Sequence, residues 1–102
     1  RNDFIQVANG EVLGGLKLSN ISPQIKKQYQ LSSSIKGVIV TKVKQNSPAY
    51  EAGVMPGDII VQIEDIEINN LDDINKAIKK YGNNYKRVYI NRYGNIYVVV
   101  LK

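Results

Sequence analysis

The sequence predicts a mostly β domain with short helices, a small, partly open barrel or sandwich of five to seven strands capped by two or three helices. Three observations carry that expectation. Short runs rich in Val and Ile recur between clusters of Gly, Pro, Asn, Asp and Ser. Helix starts stand at Ser22-Pro23, Ser47-Pro48 and Asn70. Finally, residues 46–60 (NSPAYEAGVMPGDII) compress a one-turn helix, a tight turn and a buried strand into one stretch.

In chain order, residues 1–11 are polar with a slight apolar alternation (Phe4, Val7), which reads as a linker or an N-terminal edge segment; the folded domain is expected over 12–102. Leu16 and Leu18 share one face of a strand while Lys17 points the other way, with Gly14 and Gly15 just before it. Ser22 caps a helix with Pro23 at its first position, Ile25 and Tyr29 on one face, and an end near Leu31. Ser32, Ser33 and Ser34 form a loop. Residues 37–43 are dominated by β-branched side chains and should be a central strand.

Ser47 caps the next short helix, Pro48 fits the position where an N–H would be unpaired, and Gly53 ends it. Pro56-Gly57-Asp58 turns the chain into a strand through Ile63, and Glu64-Asp65 turns it again into a short strand at 66–68. Asn70 caps a longer helix with Asp73 at N3; Leu71, Ile74, Asn75 and Ile78 share a face, Lys79 and Lys80 fill the last turn, and Gly82 stops it. A hairpin closes the chain, 85–90 against 95–101, turned by Arg92-Tyr93-Gly94.

Composition removes several kinds of chemistry. The 102 residues are one domain's worth, enough to bury roughly 60–70% of the unfolded surface. There is no Cys and no His, which excludes thiolate chemistry, sulfur-ligated zinc and every nucleophile–His arrangement. The net charge of +5 is scattered with no run of five or more like charges, which reads as a solvated surface. No apolar run reaches membrane-spanning length and no signal peptide opens the chain; an exported parent would carry its signal upstream.

The remaining candidates have plain readings. Gly14-Gly15 lacks the Gly-Lys-Ser/Thr ending of a phosphate loop and reads as a turn or bulge. Glu64, Asp65 and Glu67 read as a solvated turn, and Asp72 and Asp73 as helix-start acids. Tyr85, Arg87 and Tyr89 share a strand face of the kind that stacks single-stranded bases, but ordinary amphipathic sheet explains them and nucleic-acid binding is not expected. No cofactor or metal is implied.

Two features combine. Leu13-Gly14-Gly15-Leu16-Lys17-Leu18 leads a glycine loop into a strand, and Ser47-Pro48-Ala49, Ala52-Gly53 and Pro56-Gly57-Asp58-Ile59-Ile60 follow, with the 70–82 helix at the expected distance. From about Leu13 to Lys102 the chain resembles a bacterial PDZ domain, of permuted strand order, from an HtrA/Deg-type (DegP/DegQ-like) serine protease. The Leu-Gly-Gly-Leu form and the terminal hairpin are closer to the second, C-terminal such domain than to the first.

The resemblance implies a non-catalytic peptide-recognition module of a periplasmic quality-control protease, binding apolar C-termini or extended segments of unfolded proteins by strand addition. It implies a carboxylate loop of Leu13, Gly14, Gly15 and Leu16, with the N–H groups of Gly14, Gly15 and Leu16 converging as a nest. Leu16, Leu18, Leu71, Ile74 and Ile78 would line the pocket, with Asn75 at its edge. Two departures stand out: Gly14 replaces the usual apolar side chain, and Glu11 rather than a cation precedes the loop. They open an alternative, a structural interaction module controlling oligomer assembly, its partners being neighbouring domains or subunits of the parent.

Overall fold

The computed structural model describes residues 11–102. The expected linker or edge segment falls almost wholly outside them. The elements run β1 (Leu16–Asn20), α1 (Pro23–Gln28), β2 (Val38–Val43), α2 (Pro48–Glu51), β3 (Ile59–Ile63), β4 (Ile66–Glu67), α3 (Leu71–Tyr81), β5 (Lys86–Arg92) and β6 (Asn95–Leu101). All pairings are antiparallel, in the order β1-β2-β3-β5-β6. One edge of β3 is shared, Ile59 and Ile60 pairing with β2 and Gln62 and Ile63 with β4, while β5 runs along the other. Among the described residues the sheet therefore stays open, with β1 and β6 at its two ends. The mostly β class with three short helices is as the sequence predicts.

Local chemistry explains the punctuation. Ser22 and Ser47 accept the N–H groups of Ile25 and Tyr50, both at 3.1 Å, with Pro first in each helix. Helix α1 ends earlier than Leu31, because Gln30 enters the left-handed region (φ 57°) and the Leu31 N–H turns back to the Lys26 carbonyl at 2.7 Å. Met55-Pro56-Gly57-Asp58 closes as a tight turn, the Asp58 N–H donating to the Met55 carbonyl at 3.1 Å with Gly57 at φ 95°. The β5–β6 turn is shorter than expected. Tyr93 and Gly94, both at positive φ, form it alone, and Arg92 belongs to the strand.

The core lies between the sheet and α3. Leu16, Val38, Val40, Ile60, Ile63, Val88, Ile90 and Leu101 supply the strand side; Ile74 and Ala77 supply the helix side. Asp58, 2% exposed, is held within it by two of the guanidinium nitrogens of Arg92 (Nε to Oδ1 2.8 Å, Nη2 to Oδ2 2.9 Å) and by the Met55 N–H at 2.8 Å. Arg92 Nη2 also donates to the Gly53 carbonyl at 2.8 Å, so one residue of β5 staples both sides of the turn after α2. Lys86 is fully buried as well, its Nζ donating to the carbonyls of Asn84 and Lys102, and burial pushes its pKa down.

Candidate functional site: the outer edge of β1 beside α3

Backbone direction along β1 decides which edge is available. The Gly15 carbonyl accepts the Lys44 N–H at 2.8 Å and the Lys17 carbonyl accepts the Thr41 hydroxyl at 3.2 Å, so these residues face β2. The register shifts between Lys17 and Leu18 and passes over Thr41, the residue whose hydroxyl meets the Lys17 carbonyl. By alternation, Leu16, Leu18 and Asn20 turn their backbone groups to the opposite edge. At Leu16 that edge is taken by Val12, whose N–H donates to the Leu16 carbonyl at 2.8 Å.

The glycine loop is a tight turn rather than an open nest. Leu13 (φ 53°) and Gly14 (φ 83°) occupy its two central positions, and the Val12 carbonyl accepts the N–H groups of both Gly15 (3.1 Å) and Leu16 (2.8 Å). Two of the three N–H groups expected to converge on a carboxylate are thus paired with Val12 in this structure. The loop is seated on α2, with the Gly14 carbonyl accepting the Ala49 N–H at 3.1 Å. Gly15 is at φ 118° and its α-carbon sits so close to Ser47 that a Cβ would lie 2.5 Å from the Ser47 Cβ.

The side chains expected to line the pocket divide by depth. Leu13 (4% exposed), Leu16 (0%) and Ile74 (2%) are core, supporting the groove from beneath. Leu18, Leu71 and Ile78 are half-buried and pack against that core, and Asn75 is also half-buried. Helix α3 is fixed at both ends. Its Leu71 N–H donates to Asn20 Oδ1 of β1 at 2.7 Å, while its last turn reaches Asp65, through the Tyr81 hydroxyl and Lys80 Nζ (3.1 Å). The Asn70 cap accepts the Asp73 N–H at 3.1 Å, and Asp73 Oδ2 accepts the Asn69 N–H at 2.8 Å.

The acidic turn is more than solvated surface. The Tyr81 hydroxyl first, then Lys80, holds the Asp65 carboxyl below its usual range. Glu64 is lowered by Arg87, whose Nη2 lies 2.7 Å from Oε1 and whose backbone N–H meets Oε2 at 2.7 Å. Sequence reasoning missed Val12, Asn20 and the Asp58–Arg92 pair. A Val and a Leu four residues apart around glycine was a faint signal for the first. Nothing local marks Asn20 or Arg92, whose partners lie 51 and 34 residues away.

Among the described residues no catalytic constellation assembles, and no group of three or more acid, His or Cys side chains converges on a metal position. What the arrangement offers is a strand edge with apolar side chains beneath it. Comparison with known proteins agrees in kind. The family pattern described as "PDZ domain" matches residues 15–94. A probable periplasmic serine endoprotease, DegP-like, of Chlamydia muridarum is 30% identical over 88 residues, covering 86% of this chain and 18% of the relative. The chain therefore spans about a fifth of that relative's length.

Two solved structures share the fold. The HtrA3 PDZ domain bound to a phage-derived ligand (FGRWV) superposes with a TM-score of 0.70 at 21% identity, covering 85% of this chain and 79% of that one. The HtrA-type protease AlgW with a decapeptide gives 0.72 at 20% identity, covering 94% of this chain and 30% of that one.

Proposed function

Because the chain belongs to the PDZ domain family, we propose that it recognises extended apolar segments of other polypeptides, taking them as an added strand along the outer edge of β1. It does so without catalysis, as a module of a periplasmic serine protease engaged in protein quality control. The observation that supports this reading best is the edge itself: Leu18 and Asn20 turn backbone groups away from β2, and half-buried Leu18, Leu71 and Ile78 lie beside them. Burying one aliphatic guest side chain there contributes about 1.5–3 kcal/mol. After ordering costs, micromolar affinity, about −8 kcal/mol, is expected. A guest carboxylate at the Leu13–Leu16 loop would have to take the Gly15 and Leu16 N–H groups from Val12, so internal segments suit the site at least as well as free C-termini. The test is fluorescence anisotropy of this chain with labelled apolar octapeptides, repeated for Leu18→Lys and Ile78→Lys with folding checked by circular dichroism. Undiminished binding by both folded variants would refute the reading.

One feature favours a second reading, assembly of the parent protein through contact with a neighbouring domain or subunit. Edge strand β6 exposes Ile96, Val98 and Val100, each more than half exposed, in a row without a charge. If this reading is right, Val98→Lys in the parent protein lowers its sedimentation coefficient while peptide binding persists.

A further inference from the structure

The face of β1 turned away from the core carries a charge arrangement that the fold itself does not need. Lys17 of β1 stands directly opposite Lys42 of β2, and both are exposed. Like charges directly opposite each other in an antiparallel pair are unfavourable. Lys44 follows at the end of the same strand pair, 3.9 Å from Glu11, and these residues with Gly15, Val43 and Gln45 surround a hollow of about 330 Å³. Among the described residues, Glu11 is the one carboxylate lining it, and it lies against Lys44 rather than Lys17 or Lys42.

We infer that Lys17 and Lys42 select guest segments in which acidic residues alternate with apolar ones. The inference rests on the guest lying along β1 as proposed above and adds the chemistry of its second face. A strand added to β1 presents alternate side chains to opposite faces. A guest residue opposite Leu18 turns toward the apolar groove, and its neighbour opposite Lys17 turns toward the lysines. Because the Lys17 backbone faces β2, that guest residue occupies a non-hydrogen-bonded pair, where side chains stand closest, at roughly 4.5–5.5 Å between Cβ atoms. A carboxylate there meets Lys17 directly and comes within reach of the long Lys42 side chain one strand further on. A cation there meets two like charges.

Three fluorescein-labelled octapeptides test this, identical except that the residues between alternating valines are glutamate, glutamine or lysine. At low salt the glutamate peptide should bind this chain about five- to ten-fold more tightly than the lysine peptide, with glutamine between. The ratio should fall toward one in 0.5 M NaCl and in Lys17→Gln/Lys42→Gln. The control Lys27→Gln/Lys36→Gln, equal in net charge, should keep it. Equal binding of all three peptides to the unaltered chain overturns the inference while leaving strand addition intact, as does a ratio that survives in Lys17→Gln/Lys42→Gln. Failure of every peptide to bind overturns the strand-addition reading and the inference with it.

Discussion

Replacing Arg92 by Met removes the guanidinium and keeps most of the aliphatic length, leaving the Asp58 carboxylate, 2% exposed, with the Met55 N–H as its remaining donor. Breaking a buried pair by deleting one partner typically costs 3–5 kcal/mol, because the other charge stays behind unpaired. The Arg92 side chain is 27% exposed, so solvent enters readily and the lower end applies, about 3 kcal/mol. For a domain of this size that corresponds to a fall in Tm of about 12–24 °C. Urea unfolding followed by far-ultraviolet circular dichroism measures it at constant pH. The double variant Asp58→Asn/Arg92→Met distinguishes pairing from packing, since it removes the stranded charge and should lose less than the sum of the two single changes by about 2 kcal/mol. A single-variant loss below about 1 kcal/mol, or strict additivity, would refute the claim that this pair anchors the turn after α2.

Two further outcomes follow from the same geometry. Gly15→Ala places a methyl 2.5 Å from the Ser47 Cβ at a φ of 118°, so backbone strain and displacement of the α2 cap together should cost about 2–4 kcal/mol, read as a lower urea midpoint. Retention of wild-type stability would mean that the loop can leave α2 freely. On the acid side, Glu64 and Asp65 hold their protons less tightly folded than unfolded, so the unfolded chain binds more protons. Their contribution is complete above the ordinary values of 4.5 and 3.8 and is lost as pH falls through the lowered ones. Stability plotted against pH below about 4.5 should therefore flatten in Glu64→Gln/Asp65→Asn. An unchanged slope would assign acid sensitivity to other carboxyls.

The sequence disclosed what local chemistry determines. Caps at Ser22, Ser47 and Asn70, prolines at first helical positions, and glycines 53 and 57 each act within a few residues, and the structure places every one at its expected boundary. Legibility failed where a residue's partner is remote. Arg92 read as part of a turn because its link to Asp58 crosses 34 residues, and Asn20 read as nothing because it caps a helix start 51 residues on. Lys86 is the sharpest case. A lysine in a surface hairpin is expected in water, yet this one is fully buried against two carbonyls, one of them at Lys102. Among the proposed site residues, period and spacing found the right elements but not their depth, since Leu16, Ile74 and Leu18 look alike in sequence and only the first two are core.

That difference in depth bears on how the proposed site would work. Helix α3 is held at one end by Asn20 and at the other by Asp65, and the loop before β1 is seated on α2, which Arg92 and Asp58 secure from below. The walls of the groove are therefore fixed before any guest arrives, and little ordering cost falls on the domain itself. The replaceable part is the Val12 carbonyl on the Gly15 and Leu16 N–H groups. Exchanging it for a guest carboxylate swaps neutral hydrogen bonds for charged ones, a gain of about 1 kcal/mol each at most, part of which the nearby Glu11 opposes. For the proposed guest, apolar burial at Leu18, Leu71 and Ile78 would outweigh that gain. Selection should then follow the side chains of an extended guest more than the presence of its terminus.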